Sequence, residues 1–124
     1  MKEGAETILL VEDERSVRML VQAMLEMLGY KVLPAGGKEE AFRLLEEHGN
    51  DIDLLLTDVV MPDMSGMELS DRMLAIRPKL KCLFMSGYTE DAIRSQGILK
   101  EGARFICKPF SIKELGAKVR EAFA

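Results

Sequence analysis

A chain of 124 residues and 13.9 kDa is long enough for one domain with a real core and too short for two. Hydrophobic residues make up 48%, charged residues 31%, and the net charge is −4, so the chain lacks the basic balance of a nucleic-acid surface. Its apolar runs are strand-length, which predicts no membrane insertion. The charged start MKEGAE opens no signal-peptide pattern, and Cys82 and Cys107 read as free thiols of a cytoplasmic protein.

Apolar runs and helical patterns alternate along the chain. TILLV (7–11) reads as a first strand. Val17, Leu20, Val21, Met24 and Leu28 recur at helical spacing, and Gly29 closes that helix. YKVLPA (30–35) is a second strand, placed at an edge because Pro34 cannot donate to a ladder. Ala41, Leu44 and Leu45 mark a second helix ending near Gly49. DLLLT (53–57) is a third strand, with the continuous leucine run expected of a strand covered on both faces. Ser65 and Glu68 have capping-box spacing and open a third helix that stops before Pro78. KCLFMS (81–86) is a fourth strand, followed by a short helix from Thr89 to about Gly97. RFIC (104–107) is the fifth strand, and a capping box at Ser111 and Glu114 starts a helix that buries Ile112, Leu115, Val119 and Phe123. Repeated βα units in one small domain predict an α/β fold, a parallel sheet with helices on both faces, spanning residues 1–124 without an output domain.

In such sheets, sites form beyond the C-terminal ends of the strands. Strand one ends in Glu12 and Asp13, strand three in Asp58, strand four in Ser86 and strand five in Lys108-Pro109, while strand two ends in Ala35-Gly36 with no evident chemistry. Singly, each has a structural explanation: Asp58 as a turn former, the acid pair as solvated loop, Ser86 as a turn residue, Lys108 as surface charge. Jointly, they put carboxylates, a hydroxyl and an ammonium on one rim. Clustered carboxylates repel unless neutralised, and Mg2+ (or Mn2+) prefers a few carboxylates plus phosphate oxygens. Asp58 is then a candidate nucleophile, with Lys108 and Ser86 as donors to a transferred phosphoryl group. The single His48 lies in the polar end of the second helix and reads as exposed, and with the two cysteines it forms no zinc pattern.

The motifs LLVEDE (9–14), LLLTDVVMPDMSG (54–66), LFMSGYTED (83–91) and ICKPF (106–110) resemble those of receiver domains of two-component response regulators. The run from Gly87 to Phe110 most resembles receivers attached to hybrid sensor kinases. The resemblance implies a flavodoxin-like (βα)5 sheet of order 2-1-3-4-5. It implies that Asp58 accepts a phosphoryl group from a histidine kinase or histidine phosphotransfer domain. It implies that Glu12, Asp13, Asp58 and the Val60 carbonyl bind Mg2+, that Ser86 moves toward the phosphate, and that Lys108 pairs with it before a cis peptide at Pro109. Phe105 matches the aromatic switch position, without the hydroxyl that tyrosine would bring. Val60 and Tyr88 stand where the lifetime of the phosphate is tuned. Phosphorylation is expected to reshape the face of the fourth helix, fifth strand and fifth helix, a face through which family members also dimerise; Met64 and Met85 are candidate contact residues there, against the simpler reading that most of the nine methionines are adaptable core filler. No downstream effector is implied. The rival readings are an aspartyl-nucleophile phosphatase, which Val60 disfavours by standing where that class needs an acid, a nucleotide or flavin binder, for which no G-x-G-x-x-G follows the first strand, and a docking pseudo-receiver that is never phosphorylated.

Overall fold

The computed structural model describes residues 6–124, so the charged start Met1–Ala5 lies outside the described residues. The elements follow in strict alternation: β1 (Thr7–Val11), α1 (Arg15–Met27), β2 (Lys31–Ala35), α2 (Lys38–His48), β3 (Leu54–Asp58), α3 (Gly66–Ile76), β4 (Lys81–Ser86), α4 (Glu90–Gln96), β5 (Phe105–Cys107) and α5 (Ile112–Phe123). A 3-10 turn at Gly49–Asp51, which the sequence pattern did not signal, links α2 to β3. The strands form one parallel sheet in the order β2-β1-β3-β4-β5. This is the expected order, with Pro34 on the edge strand opposite Leu10.

The leucine-rich strands are apolar on both faces because both faces are covered. Ile8, Leu10, Leu54, Leu56, Leu83 and Met85 point to one side, where Val21 and Leu25 of α1 and Leu115 and Val119 of α5 pack on them. Leu9, Val11 and Leu55 point to the other side, against Ala41 and Leu45 of α2 and Leu69 and Met73 of α3. A smaller cluster of Val59, Phe84, Ile93 and Leu99 lies beneath α4. The period of two along each strand thus feeds two separate cores, which is why β1 and β3 show no polar alternation.

Local signals account for most helix ends. Gly29 takes φ 98°, a left-handed conformation that favours glycine, just beyond α1. Ser111 and Glu114 form the full reciprocal capping box of α5. At α3 only half of the expected box exists: the Ser65 oxygen accepts from the Glu68 N–H, but the Glu68 carboxylate turns to Arg72 at 2.8 Å instead of reaching back. Two side chains also depart from expectation. Leu20 is 59% exposed although its spacing marked it as buried, because the apolar stripe of α1 is wider than the face that meets the sheet. His48 is half-buried at the end of α2 rather than exposed.

Candidate functional site

The acid pair follows directly from β1. Glu12 donates its N–H to Ala35 O at 3.1 Å, continuing the pairing with β2, and its carbonyl accepts from Arg18 Nη1 at 2.7 Å. The Glu12 side chain is 2% exposed, whereas Asp13 is exposed. Asp58 is the last residue of β3, one position later than the expected strand end, so the ladder itself fixes its backbone opposite Met85. Buried Thr57 adds a hydroxyl donor to the Asp58 carbonyl at 3.1 Å. Carboxylate oxygens of Glu12, Asp13 and Asp58 lie within 4.8 Å of one another.

Lys108 reaches into this cluster from the end of β5. Its Nζ is 2.9 Å from Glu12 Oε1 and 3.1 Å from Asp58 Oδ1. Its N–H donates to Ser86 O at 2.7 Å, and the following peptide, Lys108–Pro109, is cis as the family pattern implied. The charges are unbalanced: a single ammonium serves a group of carboxylates. Burial pushes the carboxyl pKa of Glu12 up, against the hydrogen bond from Lys108. Burial raises Asp58 likewise, with Lys108 opposing and Asp13 adding to the rise. Burial alone would lower the Lys108 ammonium, but the hydrogen bond to Glu12 and the charge of Asp58 outweigh it and hold its pKa above the ordinary value. The neighbouring carboxylates thus outweigh burial at the lysine, whereas the lysine does not outweigh burial at the acids. The residual negative charge and an all-oxygen donor set fit a hard divalent cation, which Glu12, Asp13 and Asp58 could hold.

The loop after β3 is built around close approaches. Val59 N–H donates to Met85 O at 3.0 Å, and Gly66 N–H donates back to Val59 O at 2.8 Å. Met61 and Met64 are buried against the α2 and α3 side of the sheet, so Met64 is a core residue and lines no outer contact surface; Met85 is likewise fully buried in β4. Val60 turns outward and is 60% exposed, so it belongs to neither core. With Asp58, Val59, Gly87, Tyr88 and Lys108 it lines a cavity of about 360 Å3. Tyr88 is exposed on the opposite lip, and its N–H donates to the Oγ of buried Ser86 at 3.0 Å. Phe105 opens β5 opposite Phe84 and is half-buried beside the small core under α4.

The residues named from the strand ends therefore gather: the carboxylates of Glu12, Asp13 and Asp58 form one cluster that Lys108 joins through Glu12 and Asp58, while Val60 and Tyr88 line the cavity and buried Ser86 accepts the Tyr88 N–H. Phe105 stands apart, on the strand that delivers Lys108. Pattern reasoning missed Arg18, which holds the Glu12 carbonyl from the first turns of α1, because an arginine on a helix reads as solvated charge. It also missed Gly66, whose absent Cβ admits the Asp58 carbonyl; the signal was a glycine directly after a helix-capping serine.

A family model described as the response regulator receiver domain matches residues 8–120. Sensor kinase CckA of Brucella abortus is 41% identical over 118 residues, which is 95% of this chain and 12% of that protein. The response regulator receiver protein CpdR of the same organism is 36% identical over 87% of this chain and 88% of its own length. Among solved structures, the receiver domain of the hybrid histidine kinase CckA superposes with a TM-score of 0.79 at 35% identity, covering 95% of this chain and 99% of that one. Response regulator TrrA of Thermotoga maritima, solved in complex with Mg(2+)-BeF, gives a TM-score of 0.80 at 29% identity, covering 94% and 98%.

Proposed function

The chain belongs to the response regulator receiver domain family of two-component signalling, akin to the receiver of a hybrid kinase, and on that premise we propose that it is a phosphoacceptor switch whose acceptor is Asp58. The single observation that carries this reading is the meeting of Glu12, Asp13 and Asp58 carboxylates with Lys108 Nζ at the C-terminal rim of the sheet. The donor is the phosphohistidine of a histidine kinase or histidine phosphotransfer domain. Exposed Met19, Leu20 and Met27 give α1, the helix that leaves the acid pair, an apolar surface for such a donor. The chain spans only a small part of CckA but most of CpdR, so both a hybrid kinase and a short regulator are homes for such a unit.

The reaction needs little from the chain beyond position and charge. An ionised Asp58 oxygen attacks phosphorus in line with the P–N bond of the phosphohistidine. A new O–P bond forms as the P–N bond breaks, its electron pair stays on the imidazole nitrogen, and the product is an acyl phosphate. Glu12, Asp13, Asp58 and the Val60 carbonyl would hold Mg2+, which supplies positive charge to the phosphoryl oxygens when bound. Lys108 donates to a phosphoryl oxygen from the side of Glu12. The Ser86 oxygen already accepts from Tyr88, so its hydroxyl proton is available to donate toward the new phosphate. That pull would move the turn after β4, and Phe105, half-buried next to Phe84, would follow inward. The face of α4, β5 and α5 is then the output surface, read by a partner or by a second copy.

The discriminating experiment is phosphotransfer from a phosphohistidine donor, run beside a phosphomonoester assay in Mg2+. The expected result is a single transfer to Asp58 followed by slow loss, with no repeated turnover of the ester. Multiple turnover would favour a phosphatase, and no transfer with intact folding would favour a docking module.

A further inference from the structure

The end of β2 looked empty of chemistry, yet it touches both loops of the site. Ala35 O accepts the Glu12 N–H at 3.1 Å. At Gly36 a Cβ would lie 3.2 Å from Arg18 Nη1, the atom that holds the Glu12 carbonyl. So residues 35 and 36 border both backbone groups of Glu12, one directly and one through Arg18. Two residues on, the contact is to the acceptor loop. The N-cap of α2 is Gly37, which has no side chain to cap the helix. The cap comes instead from Asp63, whose Oδ2 accepts the Lys38 N–H at 3.1 Å across a separation of 25 residues. Gly37 is extended, with φ −177°, so its backbone suits any residue; a Cβ there would sit 3.0 Å from Asp63 Oδ2, so a side chain at 37 would push the Asp63 carboxylate off its contact by a few tenths of an ångström.

We propose that the turn Ala35–Lys38 is a positioning bridge that sets the acid loop (12–14) and the acceptor loop (58–66) relative to each other, and that Asp63 is the positioning residue at its acceptor end. Glu12 and Asp58 come from strands that are neighbours in the sheet, but beyond the strand ends the ladder no longer fixes their loops. The turn after β2 provides a common reference for both. Asp63 lies five residues past Asp58 and three past Val60, so holding it on α2 holds the loop that carries the Val60 carbonyl. This bridge rests on the metal and phosphoacceptor reading for its consequence, though not for its geometry.

The test uses the full chain, first without metal. Asp63→Ala is expected to move the backbone amide resonances of Glu12 and Asp13, which Asp63 does not touch, as well as those of residues 58–61. Magnesium binding, measured by calorimetry, is expected to weaken about tenfold, the scale seen when groups one shell behind a metal ligand are removed. Gly37→Val attacks the same contact from the other side and should reproduce both effects. Asp63→Asn keeps an acceptor oxygen and should restore both. Glu46→Gly, on the exposed face of α2, should lower the melting temperature without either effect. Resonance changes confined to residues 36–40 and 62–65, with unchanged magnesium affinity, would overturn the bridge. If the wild-type chain bound no magnesium at all, the metal reading would fall, while the metal-free resonances would still decide the bridge.

Discussion

Gly66 and Asp58 touch backbone to backbone: a Cβ on Gly66 would fall 2.1 Å from the Asp58 carbonyl oxygen. Backbone cannot swing aside as a side chain can. Gly66→Ala therefore has to displace either the start of α3 or Asp58 itself. The expected cost is about 1–3 kcal/mol of stability, as for other overpacked sites. A shift near 1 Å at the acceptor should slow phosphorylation by small phosphodonors on the order of a hundredfold. Denaturant unfolding and the rate of adduct formation check this together, and wild-type values for both would refute the close approach.

Lys108 is shared between Glu12 and Asp58 at 2.9 and 3.1 Å. Lys108→Ala leaves two partly or wholly buried carboxylates without that donor. Metal-free stability should fall by about 1–3 kcal/mol, the usual cost of an unsatisfied buried polar group. Magnesium should recover part of this loss if the same carboxylates hold it, but phosphorylation should stay impaired for want of a second donor. Thermal unfolding with and without magnesium is the measurement.

The pH dependence follows from the direction of the shifts. Glu12 and Asp58 have raised pKa values, chiefly through burial, with Lys108 opposing and Asp13 adding to the rise at Asp58. The folded chain therefore binds more protons than the unfolded one across the window from the ordinary values, 4.5 and 3.8, up to the raised ones. Metal-free stability from these groups is highest below that window and falls as pH rises through it. Magnesium needs the ionised forms, so its stabilising shift in Tm should be near zero at the acid end, grow through the window and level off above it. Asp58→Asn should flatten both trends. A magnesium shift that is constant with pH would contradict the site.

Val60 and Tyr88 face the cavity beside Asp58, and neither carries a base or an amide to position water. Replacing Val60 with Asn or Glu puts such a group beside the acyl phosphate. The half-life of the phosphorylated chain should change in at least one of them, without loss of folding. Equal half-lives in wild type and both variants would assign Val60 no part in the lifetime.

Much of the fold was legible because each signal was local and its physics strong. The leucine run of 54–56 demanded cover on both faces, Pro34 demanded an edge, and Ser111 with Glu114 demanded a helix start, and all stand so in the structure. The rim residues were legible because strand ends in a parallel sheet share one side. Leu20 misled because periodicity marks a stripe without saying how wide the packed face is. Glu68 misled because a capping carboxylate can be drawn off by an arginine one turn on. Arg18, Asp63 and Gly66 were silent because their work is done through space, on backbone groups that no spacing rule connects to them.

The most direct measurement is the intact mass of the chain after incubation with Mg2+ and acetyl phosphate, for wild type and Asp58→Ala side by side. One added phosphoryl group is expected on the wild type, absent without the metal and absent in the variant. An unmodified wild type that also binds no magnesium, or an adduct that survives in Asp58→Ala, would contradict that reading.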